Sequence, residues 1–333
     1  MTNTKMIKLS ANENCYGFSP LATAALKDNF LNVHLYPDVN PVALKDKLAK
    51  MYGVNSKNII VGAGSVRIID GLIETFVGHE EEVLTFEKSF IAYGQLAGFH
   101  HRTCHFAPLT DFRCNPENLL PFINGKTRLI FIANPNNPTG TIISHAELEN
   151  LLSRISNKII VAIDEAYGEY VTDSSFPNSI ELQKKFPNLV ILHSFSKIYG
   201  LAGLRIGYAI MEENLAAKMS AGQIPFSLNQ ISAETAFAAL DDQEFILKSA
   251  KENAAQRDFL YHELRRLGYN TIPTQSNFIY LWFETDEQKL TAYKKLFDRG
   301  IMICDMKIFG QEKSLRIGIG DSKTNIEIAH SLA

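Results

Sequence analysis

The stretch that decides the fold reads His193-Ser194-Phe195-Ser196-Lys197-Ile198-Tyr199-Gly200-Leu201-Ala202-Gly203-Leu204-Arg205-Ile206-Gly207. It follows the apolar run Leu189–Leu192, which is typical of a buried strand in a parallel sheet. A single lysine after a strand is most often a solvated loop residue. Lys197, however, stands among serines and glycines, with Arg205 eight positions later. An amine surrounded by serines, glycines and a fixed cation suits an anionic ligand that carries an electrophilic carbon.

The composition argues against several classes of function. A chain of 333 residues, 46% hydrophobic and 21% charged, is long enough for two domains or one large one. A formal net charge of −3 without a basic tract argues against binding to nucleic acid. No apolar stretch approaches the roughly 20 residues that span a bilayer, so no membrane partner is predicted. Met1–Ser10 lacks the apolar segment of a signal peptide, which predicts a cytoplasmic protein.

The spacing of cysteines and histidines predicts neither a disulfide nor a metal site. The four cysteines form no CxxC pair, which indicates free thiols in a reducing compartment. His100, His101 and His105 lie close together in the sequence. No carboxylate or cysteine pattern completes a ligand set around them, so no metal is predicted.

From residue 58 onward, short apolar runs alternate with segments of helical periodicity. The predicted strands are Ile59–Val61, Glu82–Phe86, Thr103–Phe106, Leu129–Ala133, Ile159–Ile163, Leu189–His193 and Gly207–Ile210. The predicted helices are Leu21–Phe30, residues 41–52, a segment with Ile69, Leu72, Ile73 and Phe76 on one face, and His145–Ser153. Alternation of this kind predicts an α/β fold with a mostly parallel sheet between helices.

The pattern changes after about residue 229. A long, charge-rich helical stretch, Ser232–Leu267, precedes the predicted strand Asn277–Phe283, a helix near 287–299 and the strand Leu315–Ile319. Strands separated by long helices predict a second, smaller α+β domain. We therefore predict a large domain over residues 30–238 and a small domain built from residues 1–29 and 239–333.

Polar and glycine-rich segments follow four of the predicted strands. They are Gly62-Ala63-Gly64-Ser65, Asn134–Gly140, Asp164–Tyr167 and Ser194–Lys197. Because ligands of an open parallel sheet bind at the carboxyl ends of its strands, we expect these segments to meet at one pocket. Taken singly, each also has a purely structural interpretation: a common glycine turn, a tight turn, a helix N-cap and a solvated loop.

Together the four segments predict a specific ligand. The glycine turn before a helix offers amide N–H groups to a phosphate, and Arg205, among apolar and small residues, resembles a buried arginine that faces an anion. Asp164 follows a buried strand, where a carboxylate needs a partner. A phosphorylated aromatic aldehyde with a ring nitrogen, joined to Lys197 as a Schiff base, would satisfy all of these groups.

In this order and spacing, the motifs resemble those of the pyridoxal-phosphate-dependent aminotransferases of the aspartate aminotransferase fold type. They are Asn12-Glu13-Asn14-x-Tyr16-Gly17, Tyr36-Pro37-Asp38, Asn136-Asn137-Pro138-Thr139-Gly140, Asp164-Glu165-Ala166-Tyr167, Ser194-Phe195-Ser196-Lys197 and Leu315-Arg316-Ile317. Within that fold type the chain is most similar to the histidinol-phosphate aminotransferase branch. The resemblance covers nearly the whole chain and implies fold type I of the pyridoxal-phosphate-dependent transferases.

The resemblance implies a role for each matching cofactor residue. Lys197 looks like the lysine that forms the Schiff base with pyridoxal 5'-phosphate and then removes the Cα proton of the substrate. Asp164 resembles the partner of the pyridine nitrogen, and Phe90 takes the place of the aromatic that stacks on the ring. The residues implied to hold the 3-oxygen of the ring are Tyr167 and Asn137. Those implied to hold the phosphate are Ser194, Ser196, Arg205 and the turn Gly64-Ser65-Val66 with its backbone N–H groups.

The resemblance also implies a homodimer and a substrate site. Tyr36 is similar to the tyrosine that reaches the cofactor phosphate of the neighbouring subunit. Arg316 matches the arginine that binds the α-carboxylate of the substrate, and Tyr16 lies in the segment that covers the substrate. Asn137, Tyr93 and Cys304 complete the implied substrate site. Both half-reactions would share this site, which predicts ping-pong kinetics with a small amino donor and a 2-oxo acid acceptor.

Two positions depart from the histidinol-phosphate aminotransferase pattern. After Gly64 the family usually has a small residue followed by Asp-Glu, whereas this chain has Ser65-Val66-Arg67. Arg67 adds positive charge where the helix dipole disfavours it. Cys304 stands where an arginine typically binds the substrate phosphate, and cysteine offers no charge to a dianion. A substrate with an uncharged side chain, such as an aromatic one, is therefore an alternative.

Two further classes share these motifs. A decarboxylase of the same fold, resembling the threonine-phosphate decarboxylases, needs the same Lys197 and Arg316. A ligand-sensing regulator of this fold usually carries an appended DNA-binding segment. The chain begins with the substrate-covering motif and shows no basic extension, which disfavours a regulator.

Overall fold

The computed structural model describes residues 6–333 and confirms the predicted α/β fold. Met1–Lys5, which belong to the segment Met1–Ser10 and to the predicted domain segment 1–29, lie outside the described residues. The strands are β1 Ile7–Lys8, β2 Ile59–Gly62, β3 Glu82–Phe86, β4 Thr103–Ala107, β5 Thr127–Ala133, β6 Ile160–Asp164, β7 Leu189–Ser194, β8 Gly207–Ile210, β9 Asn270–Thr271, β10 Phe278–Trp282, β11 Ile301–Met302, β12 Cys304–Asp305 and β13 Ser314–Gly318. The helices are α1 Pro20–Asn29, α2 Val42–Tyr52, α3 Ser65–Phe76, α4 Ala92–Phe99, α5 His145–Arg154, α6 Ser179–Lys185, α7 Glu213–Ala221, α8 Gln230–Ala239, α9 Gln243–Arg266, α10 Asp286–Asp298 and α11 Ser322–Leu332.

A central sheet of seven strands has the order β2-β8-β7-β6-β5-β3-β4. Within this sheet only β8 runs antiparallel to its neighbours, so the sheet is mostly parallel, as predicted. Both of its faces are buried: in β5, Ile130 and Ile132 pack on one side while Leu129 and Phe131 pack on the other. A strand buried on both faces must be apolar throughout, which is why these strands read as continuous hydrophobic runs.

The C-terminal part of the chain forms a smaller, antiparallel sheet with the order β12-β13-β10-β9. Its core joins this sheet to α9, α10 and α11 through Ile279, Ile317, Leu260, Leu296 and Ile328. The N-terminal strand β1 pairs in parallel with β11, which ties the start of the described chain to this region. The division into residues 30–238 on one side and 1–29 with 239–333 on the other stays a prediction.

The structure differs from the sequence prediction where the local signals are weak. The predicted helical stretch Ser232–Leu267 is two helices, α8 and α9, separated at Leu240–Asp242. Asp242 begins α9 because its side chain accepts a hydrogen bond from Phe245 N. The strands β1, β9, β11 and β12 were not predicted, since two residues are too few to show a period of two.

A buried polar cluster lies beside the ends of β6 and β7. The rings of His193, Tyr52 and Tyr208 form a cluster, in which the centroid of His193 lies 5.5 Å from that of Tyr52 and 5.0 Å from that of Tyr208. Nε2 of His193 lies 3.7 Å from Oε2 of Glu165. The other carboxyl oxygen of Glu165, Oε1, accepts a hydrogen bond from the hydroxyl of Ser179. Burial lowers the pKa of His193 to about 4 and raises the pKa of Glu165 to about 8. At neutral pH both groups are therefore uncharged, and their contact is not an ion pair.

We expect Glu165→Gln to increase stability at alkaline pH. Between the ordinary carboxyl pKa of 4.5 and about 8, the unfolded chain releases a proton that folded Glu165 retains, so wild-type stability falls as pH rises. Glutamine does not titrate. The free energy of unfolding of the variant, relative to that of wild type, should therefore increase from pH 5 to pH 9 by on the order of 1 kcal/mol or more.

Urea unfolding of the apoprotein, followed by circular dichroism at pH 5, 7 and 9, measures this difference. The exposed Glu312→Gln is the matched control for loss of one carboxylate. A difference between Glu165→Gln and wild type that stays constant with pH would contradict the burial of a protonated Glu165.

Candidate active site

The four polar segments meet at one cavity of about 320 Å³ at the carboxyl ends of the parallel strands. Its lining combines predicted cofactor residues with residues from the smaller sheet and the N-terminal segment. From the predicted set it includes Ser65, Val66, Phe90, Asn137, Asp164, Tyr167, Ser194, Ser196, Lys197, Arg205 and Arg316. The structure thus brings together predicted site residues that are up to 251 positions apart, from Ser65 to Arg316.

One end of the cavity has the chemistry of a phosphate site. Gly64 precedes α3 with φ +85° and offers no side-chain cap, so the first amide N–H groups of α3 have no side-chain acceptor. A Cβ on Gly64 would lie 2.6 Å from Nη2 of Arg205, and one on Gly207 would lie 2.5 Å from Ser65 N. The positive φ of Gly64 favours glycine there, while the close approach to the backbone of Ser65 requires glycine at position 207.

Arg205 stands at this end with a left-handed backbone, φ +53°. Its Nη1 donates to Ser196 Oγ at 3.3 Å and to Ala202 O at 3.0 Å. The expectation of a buried arginine is wrong for the single chain: Arg205 lines the cavity but is exposed. A guanidinium at the solvent-facing edge still directs its donors towards an anion next to the start of α3.

Asp164 lines the same cavity, as the last residue of β6, and is buried. Its Oδ1 accepts from Ala166 N at 3.1 Å, and its Oδ2 accepts from the hydroxyl of Tyr93 at 2.9 Å. Burial raises the pKa of Asp164, and the hydrogen bonds from Tyr93 and Ala166 and the charge of Lys197 act in the opposite direction. The net direction of the pKa is upwards, and a cation beside the carboxylate, such as a protonated ring nitrogen, would favour its ionised form.

Lys197 extends into the cavity from the segment that follows β7. Its Nζ donates to Ala11 O at 3.0 Å and lies 5.4 Å from the centroid of the Tyr167 ring. The hydroxyl of Tyr167 accepts from Asn12 Nδ2 at 3.0 Å. Sequence reasoning did not assign Ala11 or Asn12 to the site, although Asn12 opens one of the recognised motifs. The backbone carbonyl of Ala11 leaves no signal in the sequence.

Arg316 enters the cavity from β13. Its Nη2 donates to Ser10 O at 2.9 Å, and its Nη1 donates to Asn137 Oδ1. Within residues 6–333, Nε of Arg316 is a buried donor without a hydrogen-bond partner. A buried guanidinium with an unused donor is suited to bind a carboxylate. Met306 and Phe309, which were not predicted, form an apolar part of the wall.

Five predicted site residues do not line the cavity of the single chain, and one of them, Gly64, lies in the turn directly before α3. Tyr93 was expected at the substrate, but α4 directs it inwards, where its ring stacks on Phe131 at 4.7 Å and is fully buried. Cys304 pairs with Arg316 across β12 and β13, yet it is buried in a cluster with Tyr280 and Met306. Tyr16 is half-buried outside the lining residues, and Tyr36 is 84% exposed.

The charge of Arg67, which departs from the family pattern, is compensated within α3. Its guanidinium pairs with Asp70 and lies 3.7 Å from Glu74. Arg67 is not among the residues that line the cavity. The start of α3 therefore keeps its attraction for an anion.

In residues 6–333, no group of three His, Cys, Asp or Glu side chains is arranged to hold a metal ion. In the same part of the chain, no helix is both long enough and apolar enough to cross a bilayer.

The chain belongs to the class I and II aminotransferases, whose family pattern matches residues 4–332. It is a pyridoxal-phosphate-dependent transaminase. It is 36% identical to histidinol-phosphate aminotransferase 2 of Carboxydothermus hydrogenoformans, over 99% of this chain and 91% of that protein. It is also 36% identical to the histidinol-phosphate aminotransferase of Moorella thermoacetica, over 96% and 83% of the two chains.

Solved structures confirm the fold. The histidinol-phosphate aminotransferase of Clostridium acetobutylicum superposes with a TM-score of 0.88 at 26% identity, over 98% of each chain. The enzyme of Sinorhizobium meliloti, solved in complex with pyridoxal-5'-phosphate, reaches a TM-score of 0.92 at 24% identity, over 98% and 90%. The L-threonine-O-3-phosphate decarboxylase of Porphyromonas gingivalis shares the fold at a TM-score of 0.84 and 22% identity, over 98% of each chain.

The cavity fits pyridoxal phosphate on its own chemistry. It contains one amine, on Lys197, and one buried carboxylate with a donor on each oxygen, on Asp164. A helix start without a side-chain cap and an arginine stand at the other end, as a phosphate requires. Phe90 supplies an aromatic wall between them.

Proposed function

We propose that this transaminase moves an amino group from a histidinol-phosphate-like amino donor to a 2-oxo acid, in two half-reactions at one cavity. The observation that carries the proposal is the convergence of Lys197, Asp164 and Arg316 on that cavity. The names of the relatives, which span nearly the whole chain, support histidinol phosphate as donor and histidine biosynthesis as context.

Each residue has a task in this proposal. Pyridoxal phosphate, when bound, supplies a carbonyl carbon for an amine and a ring that withdraws electrons. Lys197 holds the cofactor covalently and, once free, accepts the proton from Cα of the substrate as general base. Asp164 places negative charge where the ring nitrogen lies, and Arg316 orients a substrate anion so that the Cα proton faces Nζ of Lys197.

The mechanism predicts that Lys197→Ala loses both the covalent link and turnover. The amine is nucleophile and base together, so kcat should fall by about 10²–10⁴-fold or more. Borohydride reduction followed by peptide mass spectrometry should find the cofactor on the peptide of Lys197 in wild type and on no peptide in the variant. The exposed, ion-paired Lys184→Ala is the matched control. Undiminished turnover in Lys197→Ala would refute the mechanism.

A second candidate donor is an amino acid with an uncharged, aromatic side chain. The cations that line the cavity are Lys197, Arg205 and Arg316, and each already has a role in the proposal. Cys304 replaces the expected arginine and is buried, while Lys307 is exposed and outside the lining. Met306 and Phe309 leave an apolar wall at this side. A phosphate on the donor would therefore have to share Arg316 with any other anionic group of the substrate.

Cys304→Arg tests the choice between the two donors. Loss of the absorption band of the resting holoenzyme is followed after adding histidinol phosphate, histidine, phenylalanine or tyrosine. If the second candidate is right, wild type reacts best with the aromatic amino acids, and Cys304→Arg raises the preference for histidinol phosphate about tenfold or more. Cys304→Met is the uncharged control.

Efficient reaction of wild type with histidinol phosphate alone would reject the second candidate and leave the first. Release of CO2 in the same assay would indicate the decarboxylase, whose fold the chain shares.

We also propose that the enzyme is a homodimer in which Tyr36 completes the cavity of the partner. Tyr36 is 84% exposed in a segment that presents several other apolar side chains to solvent. They are Phe30, Leu31, Val33, Leu35, Val39 and Val42, each 54–80% exposed. A continuous apolar surface of this kind is typical of a protein interface. The exposure of Arg205 in the single chain supports the same proposal.

A mixed dimer tests the contribution of Tyr36. Co-expressed Lys197→Ala and Tyr36→Ala chains, each with a different affinity tag, give a heterodimer. If Tyr36 acts across the interface, one cavity has both changes and the other has neither, so the heterodimer should keep about half of wild-type activity. Each variant homodimer is the control. Activity no higher than that of the homodimers would contradict the proposal.

A further inference from the structure

Tyr93 is a buried tyrosine whose hydroxyl makes one hydrogen bond within residues 6–333, to Asp164 of the proposed catalytic centre. It lies in the first turn of α4, outside the residues that line the cavity. Its hydroxyl donates to Oδ2 of Asp164 at 2.9 Å, and both side chains are buried. Phe131 stacks on its ring with an interplanar angle of 2°, and Phe90 meets it edge-on at 5.5 Å. These contacts fix the ring, so the hydroxyl has one direction in which to donate.

We infer that Tyr93 is a positioning residue: its hydroxyl orients the Asp164 carboxylate and holds it in the ionised form, without touching cofactor or substrate. The inference rests on the proposed function, in which Asp164 faces the ring nitrogen. Ala166 N donates to Oδ1 and the hydroxyl of Tyr93 donates to Oδ2, so rotation of the carboxylate would break both hydrogen bonds. A carboxylate held in this way presents a fixed charge to the cavity.

In the described part of the chain, Tyr93 is the one side-chain hydrogen-bond donor to Asp164. Lys197, from the segment after β7, acts on Asp164 through its charge. Glu165 and Tyr167 flank it in the sequence, and Cys114 is a further titratable group near Tyr93. Burial raises the pKa of Asp164, and the bond from Tyr93 is the largest effect that opposes it.

The direction in which removal of the Tyr93 hydroxyl shifts the pKa of Asp164 therefore follows from this contact. Without the donor from Tyr93, the pKa of Asp164 rises, because a hydrogen bond to the charged form favours that form. Asp164 then retains a proton to higher pH and loses the charge that the ring nitrogen needs. The acid limb of the activity profile should move to higher pH, while substrate contacts at Arg316 stay unchanged.

Tyr93→Phe in the holoenzyme tests the inference, since it keeps the stacked ring and removes the hydroxyl. We expect kcat to fall about tenfold to a hundredfold, the effect of one hydrogen bond to a charged group, with little change in KM. The pH midpoints of the acid rate limb and of the visible cofactor absorption should both shift, the former upwards by about half a unit or more.

Tyr170→Phe is the matched control, because Tyr170 is equally buried and its hydroxyl has no hydrogen-bond partner within residues 6–333. In an Asp164→Asn background, Tyr93→Phe should cause little further loss, since the bond to the charge is already gone. Thermal melting of the apoproteins checks that each variant folds.

Unchanged pH midpoints, together with a kcat equal to that of Tyr170→Phe, would overturn the inference. Failure of the proposed function itself appears differently: wild type would then form no lysine adduct and transfer no amino group.

Discussion

A buried negative charge at the end of β6 governs the arrangement of the site. A carboxylate removed from water is costly unless donors and opposite charge surround it. Asp164 has a donor on each oxygen and the amine of Lys197 within the same cavity. The parallel sheet makes this possible, because β5 and β7 flank β6 and their following segments carry Asn137 and Lys197. The sheet order therefore brings the charge of Lys197 near Asp164, while the side-chain donor, Tyr93, comes from α4.

Much of this arrangement could be predicted from the sequence. Strands buried on both faces are continuous apolar runs, so each strand end is followed by an abrupt change to polar residues. Asp164 and Lys197 stand at such changes, and the family resemblance gave each a role. The glycine turn before α3 was predicted from the same change of composition, and the positive φ of Gly64 explains the glycine at that position. These features are local in sequence or repeated in a motif.

The errors of the sequence prediction concern features that depend on tertiary contacts. Tyr93 is an aromatic residue close to Phe90 in sequence, and only the direction of α4 shows that it packs against Phe131. The burial of Cys304 follows from its position opposite Arg316 in a ladder of two-residue β12, which has no periodicity of its own. Arg205 has apolar neighbours, but its left-handed backbone places it at the exposed edge of the cavity.

The N-terminal segment connects the part of the site that serves the cofactor with the part that serves the substrate. Ser10 O accepts from Arg316 and Ala11 O accepts from Lys197, while Asn12 donates to Tyr167. Neutral carbonyls bind cations less strongly than carboxylates do. They can therefore hold the guanidinium and the amine in position and still yield to a substrate anion at Arg316. Because Lys197 and Arg316 bind to the same backbone segment, a change in that segment acts on both cations. The two carbonyls lie just before the motif that begins at Asn12, and they leave no signal of their own in the sequence.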